Sequence, residues 1–267
     1  MRSTIVGLMR LSIAVFTFAA GTSYAHETWL LPGRARIEAP GPIILSVSSG
    51  MDFPKPDTAL RLDRVTRAWA RQGETQAQLE ALNVIGGTTV LRSMLKRPGL
   101  AKIWLDLPAI PLELPSNLVD VYFDEIQAEP ALREAWAKDQ PRPWLESYAK
   151  FATTFVRVGP PDPSDRSWAE PIGGSLEIVP ESDPTALGAD PKLSVRVLKF
   201  GAPLAGLMLA AQAGGERDWR RTDENGRVSF QLKGSGPWLI HGTQLTRVKR
   251  ADLEWESWFA TLTIPRQ

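Results

Sequence analysis

The residues best suited to coordination chemistry are two histidines, His26 and His241, and the acidic Glu27 beside the first of them. They are the chain's only histidines, and there is no cysteine among its 267 residues. Disulfides, thiolate metal sites and cysteine nucleophiles are therefore excluded. Imidazole and carboxylate groups remain as donors, and nitrogen-rich sets of this kind suit transition metals better than magnesium or calcium.

The start of the chain has the three-part layout of an export signal. Residues 1–10 carry two arginines, residues 11–21 are apolar, and the small residues Ser23 and Ala25 stand two apart. We expect cleavage after Ala25, with 1–25 as the signal peptide and a periplasmic product that does not span the membrane. The apolar run is too short to cross a bilayer, although a retained N-terminal anchor is the alternative.

Cleavage there would give His26 a free α-amine beside its own imidazole. Those two nitrogens and the His241 imidazole would resemble the histidine brace of copper proteins, and Glu27 could add a carboxylate oxygen. The set predicts binding of nickel, cobalt or copper, with no organic cofactor. Since an α-amine with a pKa near 8 must lose its proton to coordinate, affinity should rise with pH. The alternative is that His26 merely begins a strand and that His241 is a strand residue satisfied by a backbone partner.

Charge and motifs exclude several other functions. Removal of residues 1–25 takes away two of the 31 basic residues and none of the 30 acidic ones, which leaves a net charge of −1. That balance and the lack of a basic, aromatic-rich face argue against nucleic-acid binding. The sequence has no nucleophile elbow, phosphate-binding glycine loop or paired-histidine zinc helix, so we expect a protein that is not an enzyme.

Short apolar runs separated by Gly and Pro predict a mainly β protein with two immunoglobulin-like or transthyretin-like β-sandwiches. The first would occupy residues 26–159, residues 160–173 would form a Pro-rich linker, and the second would occupy 174–267. In the second, alternating residues and the turn at 222–227 predict a β-hairpin. The runs expected to be strands in the first are 29–31, 43–47, 61–70, 78–85, 88–95 and 101–107.

A short helical insertion is predicted at about 115–143. Apolar residues from Leu118 to Ile126 recur at helical spacing, and Pro130 separates them from a second short helix. The insertion could be a lid, a partner-binding arm or a cover for an open sheet edge, because exposed edges must be blocked.

Several phrases in order resemble one family, namely residues 25–30 (AHETWL), 148–159, 201–206 with 222–227, and 255–262 (WESWFATL). They are similar to the domain-of-unknown-function family 4198. This resemblance implies a periplasmic component of a nickel or cobalt uptake system, with a membrane metal transporter as partner. The C-terminal half also resembles carboxypeptidase-regulatory-like modules. The family's pattern has a histidine at the position of Gln244, so His241, three residues earlier, would face the other way and cannot simply take that role.

Three function classes follow. The first is a periplasmic accessory protein that captures a transition metal for a membrane uptake system. The second is an envelope interaction module that binds a protein or glycan through the insertion or exposed aromatic residues. The third is a copper-dependent oxidase, which would require redox activity with bound copper.

Overall fold

A computed structural model describes residues 26–265 except 66, 139, 141, 189, 190, 235 and 251. The predicted signal peptide lies outside the described residues. Within the described part, the chain is mainly β with a short helical insertion, as predicted. The strands are β1 (Glu27–Pro32), β2 (Arg36–Ile37), β3 (Gly41–Gly50), β4 (Thr58–Ala59), β5 (Ala68–Gln72), β6 (Thr75–Gln78), β7 (Glu80–Ile85), β8 (Thr88–Leu95), β9 (Gly99–Leu114), β10 (Trp144–Val158), β11 (Leu176–Pro180), β12 (Lys192–Lys199), β13 (Ala202–Pro203), β14 (Met208–Ala213), β15 (Glu216–Arg221), β16 (Arg227–Gln231), β17 (Trp238–Arg250) and β18 (Leu253–Ile264). The helices are α1 (Val119–Glu125) and α2 (Pro130–Ala137).

The strands form three sheets. The nine-stranded sheet has the order β15-β14-β17-β18-β10-β9-β5-β6, with β2 also paired to β10. The five-stranded sheet has the order β1-β3-β8-β7, with β4 on β3, and the four-stranded sheet has β11-β12-β13, with β16 on β12. The two smaller sheets therefore pack against different parts of the largest one.

Strand β10 contributes to both hydrophobic cores. Ala152, Val156 and Val158 belong to the core beneath the five-stranded sheet. Phe155 belongs to the core shared with the four-stranded sheet. Because the strand is covered on both faces, residues 151–158 are buried without interruption.

The two segments predicted as separate sandwiches share the largest sheet. β10 runs parallel to β18, from Glu146 opposite Trp255 to Thr154 opposite Thr263. The predicted mainly β fold with sheets packed as open sandwiches is confirmed. The division into 26–159 and 174–267 stays a prediction, and the two segments meet through this strand pair.

The helical insertion covers the face of a sheet rather than an edge. Tyr122, Phe123 and Trp136 are buried against Trp144 and Trp255 of the nine-stranded sheet. Trp144 and Trp255 stack with ring centroids 4.6 Å apart. Of the three alternatives for the insertion, the structure favours a cover. What it covers is the face of the nine-stranded sheet and not an open edge, so that part of the prediction was wrong.

Two local predictions were also wrong. Where one strand was predicted over 61–70, Leu62–Arg64 form a 3-10 turn and β5 begins only at Ala68. The turn at 222–227 exists, since the Asp223 carboxylate accepts hydrogen bonds from the backbone N–H groups of Asn225 and Arg227. The strands that it joins, however, pair elsewhere: β15 with β14, and β16 with β12. The turn is thus an arch between two sheets, because β15 belongs to the nine-stranded sheet and β16 to the four-stranded one.

The predicted linker is fastened to β10 by a buried arginine. The Arg157 side chain is 1% exposed and its guanidinium donates to Asp165, at 3.0 Å, and to Asp183. Its Nε also donates to the Thr185 hydroxyl at 3.3 Å. Burial raises the pKa of Asp165, but hydrogen bonds from Ser167 and Arg157 outweigh that effect and hold it below the ordinary value. The loops on both sides of β11 are therefore anchored to the sheet by one cation.

Candidate functional site

Glu27 and His241 are far apart in sequence and meet where β1 crosses the nine-stranded sheet. The Thr28 carbonyl accepts a 2.6 Å hydrogen bond from the Thr261 hydroxyl, and Thr261 is the β18 partner of His241. This crossing places Glu27 Oε1 2.9 Å from His241 Nδ1. The structure thus brings together two of the three residues predicted from the sequence to bind a metal.

Both side chains are buried and incompletely satisfied. Glu27 is 8% exposed and His241 is 3% exposed. Among the described residues, both ring nitrogens of His241 and Oε2 of Glu27 lack a hydrogen-bond partner, so the 2.9 Å contact is close without being an aligned hydrogen bond. A buried polar atom without a partner costs about 1–3 kcal/mol, and binding of an ion or a polar ligand is one way to remove that cost.

A cavity of about 340 Å³ opens above this pair. Residues of helix α1, together with Gln127, form one wall of the cavity. Residues of β15 and β17 form another. The lining residues are Glu27, Met51, Val121, Asp124, Glu125, Gln127, Arg217, Trp219 and His241. The helical insertion therefore roofs the candidate site as well as covering the core.

Strand β15 supplies an aromatic ring and a cation to this cavity. Trp219 meets His241 edge to face, with ring centroids 5.5 Å apart. Arg217, two residues earlier and hence on the same face of the strand, donates through Nη2 to the Met51 carbonyl. Gly242 of β17 allows the neighbouring strand β14 to approach closely, because a Cβ at this position would lie 2.8 Å from the Met208 carbonyl oxygen.

His26 lies beside this pair in the chain but outside the cavity lining. Its carbonyl accepts a 2.6 Å hydrogen bond from Lys150 Nζ, and its Nδ1 is buried without a hydrogen-bond partner. Burial lowers the pKa of His26, while the negative charges of Asp57 and Glu27 oppose the shift. The neutral imidazole, which is the form that binds metals, is therefore favoured.

The described residues contain no group of three or more His, Cys, Asp or Glu side chains arranged to hold a metal ion. Glu27 and His241 form a pair of donors, so a complete site would need further ligands. The sequence also predicted that His241 and Gln244 face opposite ways. In the structure Gln244 lines a different cavity, under the loop between α1 and α2, and its amide donates to the Leu245 carbonyl at 3.1 Å.

A buried carboxylate, Glu146, lies nearby and was missed by the sequence analysis. It accepts hydrogen bonds from the Tyr122 hydroxyl at 2.8 Å, from Trp144 Nε1 at 2.7 Å and from the Ser257 hydroxyl. Burial raises the pKa of Glu146, and these three donors oppose that shift. Burial also lowers the pKa of Lys150 to about 8, against the attraction of Glu27 and Glu146. The only sequence signal was an acidic residue at an otherwise apolar start of β10.

Removal of the Tyr122 hydroxyl should loosen the roof of the cavity. Tyr122→Phe leaves the ring in place but deprives buried Glu146 of one donor, and a hydrogen bond to a charged group contributes about 1.5–3 kcal/mol. We expect a loss of unfolding free energy of that order in urea denaturation. Tyr148→Phe is the matched control, because Tyr148 is only partly buried. Equal losses in the two variants would contradict this role of the Tyr122–Glu146 bond.

No helix in the described residues is long and apolar enough to cross a membrane. No curated protein matches the chain significantly. Among solved structures, the D0-D1 domain of Intimin is 12% identical, with 88% of this chain and 96% of that chain covered and a TM-score of 0.23. The Yersinia pseudotuberculosis adhesin InvE is also 12% identical, with 89% and 58% covered and a TM-score of 0.20.

The family comparison includes every residue of the candidate site. A family model matches residues 23–244, which extend from the end of the predicted signal to beyond His241. The chain belongs to the family described as "Domain of unknown function (DUF4198)".

Proposed function

We propose that the protein is a periplasmic accessory protein that captures nickel, cobalt or copper and delivers it to a membrane uptake system. The supporting observation is that His26, Glu27 and His241 each carry a buried nitrogen or oxygen without a hydrogen-bond partner in the part of the chain that the structure describes. The proposal includes no catalytic activity. The choice of nickel and cobalt follows from what the family resemblance implies, and it belongs to the proposal.

The geometry of Glu27 and His241 suits two ligands of one ion. Metal–nitrogen and metal–oxygen bonds are about 2.0–2.2 Å for an ion such as zinc. Two such bonds at roughly a right angle put their donor atoms about 3 Å apart, and Oε1 of Glu27 and Nδ1 of His241 are 2.9 Å apart. A bound ion would also remove the cost of the unsatisfied polar atoms. His26 would supply the next donors, its α-amine after export cleavage and its imidazole.

One residue placed before the mature N-terminus should test the role of His26. Adding a glycine before His26 of the processed protein moves the α-amine away from the imidazole, so Ni²⁺ affinity should fall by about tenfold or more. Isothermal titration calorimetry measures the change, and mass spectrometry of the exported protein establishes its first residue. A glycine added after Gln267 is the control. Unchanged affinity in the N-terminal variant would remove the amine from the ligand set.

The affinity for Ni²⁺ should rise with pH. Burial lowers the pKa of His26, so the folded protein keeps this ring neutral below the ordinary value of about 6.5, whereas the α-amine must lose a proton near pH 8. We expect most of the increase between about pH 6.5 and 8.5. In the metal-free protein, the His26 shift makes stability decrease as pH falls below about 6.5, because the unfolded chain binds that proton more readily. A flat affinity profile would contradict the amine ligand.

A second candidate function is an envelope interaction module, and one surface favours it. Phe200 is 67% exposed although its backbone has a φ of 49°. Its ring packs edge to face on Trp258, whose other neighbour is Lys199 Nζ, 3.8 Å from the ring centroid. An exposed aromatic residue in a rarely adopted conformation is a feature of binding surfaces. In that case Phe200→Ser should abolish binding of a glycan or peptide and leave Ni²⁺ binding intact.

A further inference from the structure

The cavity above Glu27 and His241 carries a net negative charge. Its lining holds the carboxylates of Glu27, Asp124 and Glu125 and the guanidinium of Arg217. With His241 counted as uncharged, three negative charges and one positive charge leave a formal charge of −2 on these residues. The cavity is therefore better suited to a cation than to an anion.

The carboxylate that a ligand would gain most from contacting is Glu27. Asp124 is exposed and already pairs with Arg133 at 2.8 Å, so a further contact there would contribute little. Glu27 is 8% exposed, and within the described part of the chain its Oε2 has no hydrogen-bond partner. A buried carboxylate oxygen is stabilised most by an N–H donor that also carries a positive charge.

The neighbours of Glu27 in the cavity leave this oxygen accessible to a ligand. His241 Nδ1 lies 2.9 Å from the other carboxylate oxygen, Oε1, and Arg217 donates through Nη2 to the Met51 carbonyl. His241 is 3% exposed, and neither of its ring nitrogens has a hydrogen-bond partner among the described residues. Because a neutral imidazole presents one acceptor nitrogen, the base of the cavity suits a ligand with several N–H donors.

The rest of the lining suits an aliphatic chain. Met51, Val121 and Trp219 also line the cavity, and the face of a tryptophan ring attracts cations. The volume of about 340 Å³ lies in the range that holds small organic molecules. A ligand that joins a positively charged nitrogen to a short carbon chain matches both the charge and the apolar part of this surface.

We propose that the cavity binds a small organic amine in its protonated form. The ammonium group donates to Oε2 of Glu27 and to a ring nitrogen of His241, and the carbon chain contacts the apolar lining. An alkylammonium group has three N–H donors, so it can satisfy both acceptors at once. This inference goes beyond the proposed metal capture and does not rest on it, although the two ligands would use the same carboxylate.

Two probes of equal length and opposite charge test the proposal, namely n-hexylammonium and hexanoate. Isothermal titration calorimetry of the processed protein at neutral pH measures their affinities. We expect n-hexylammonium to bind at least about tenfold more tightly than hexanoate, because only the amine gains a charge-assisted hydrogen bond to Glu27. Hexanoate that binds as tightly as the amine would overturn the proposal.

Three variants locate the ammonium group. Glu27→Gln should weaken n-hexylammonium binding by about tenfold or more, since a hydrogen bond to a charged group is lost. Glu80→Gln is the matched control, because Glu80 is exposed and lies outside the cavity lining. Arg217→Gln should strengthen amine binding, because a like charge leaves the cavity. Equal effects of Glu27→Gln and Glu80→Gln would contradict the proposal, and circular dichroism establishes that each variant keeps its fold.

Titration with Ni²⁺ alone distinguishes failure of this inference from failure of metal capture. If the amine binds and Ni²⁺ does not, the proposed function fails and the inference stands. If Ni²⁺ binds and the amine does not, only the inference fails. If both bind, n-hexylammonium should raise the apparent Kd for Ni²⁺, because each ligand requires Glu27. Simultaneous binding without competition would overturn the placement of the ammonium group.

Discussion

Replacement of His241 by glutamine should weaken Ni²⁺ binding by about a hundredfold or more. The substitution removes the imidazole nitrogens at the base of the cavity and leaves a neutral side chain of similar reach. Partners that only orient a metal ligand already contribute about 10–100-fold in affinity, so loss of a ligand should exceed that. Calorimetric titration of the processed protein at pH 8 measures the effect.

Glu27→Gln gives a second test of the same pair. It keeps the shape of the side chain but removes the charge 2.9 Å from His241, so affinity should fall by about 10–100-fold. Glu80→Gln is the matched control, since Glu80 is exposed on the outer strand β7 and pairs with Arg92 of β8. If His241→Gln and Glu27→Gln both bind Ni²⁺ as the wild type does, the metal site is not at this crossing of β1 and β17.

Replacement of Arg157 by methionine should destabilise the protein by about 3–5 kcal/mol. The change keeps much of the apolar volume but leaves the carboxylates of Asp165 and Asp183 mostly buried and without their cation. Urea denaturation should show a lower midpoint. The loss should be greatest above about pH 4, where Asp165 is charged, because Arg157 helps to hold the pKa of Asp165 below its ordinary value.

Two further variants decide whether unpaired charge is the cause. Adding Asp165→Asn and Asp183→Asn to Arg157→Met should recover most of the lost stability, because no buried carboxylate then lacks a partner. Arg92→Met removes an exposed arginine from its pair with Glu80 and should cost at most about 1 kcal/mol. A triple variant as unstable as Arg157→Met would mean that the arginine acts through packing instead.

Local patterns predicted the secondary structure well and the strand partners poorly. The helical spacing after Pro115 predicted α1 and α2, because an amphipathic helix shows its buried face in the sequence. The turn at 222–227 was placed correctly as well, but its chemistry is the same whether the next strand pairs with its neighbour or crosses to another sheet. The uninterrupted burial of residues 151–158 similarly reflects two covering sheets that no local pattern identifies.

The same contrast between local patterns and tertiary contacts applies to the candidate site. His26, Glu27 and His241 could be chosen from residue type and from the predicted cleavage site. The contact between Glu27 and His241 depends on β1 crossing the nine-stranded sheet, and the roof depends on where the insertion packs. Arg217 and Trp219 had no motif to mark them, since their role arises from facing the same cavity as His241. Glu146 was missed because only the fold surrounds it with three donors.

The parallel pairing of β10 with β18 has a consequence for the order of assembly. β18 lies between β10 and β17, so the middle of the largest sheet is filled by the strand made last among those described. Until residues 253–264 arrive, β10 presents an unpaired row of backbone groups, and the core shared with the four-stranded sheet lacks Ala260, Leu262 and Ile264. In a chain made from its N-terminal end this second core therefore closes late, whereas the core beneath the five-stranded sheet draws only on residues 30–158 and can form before β18 is available.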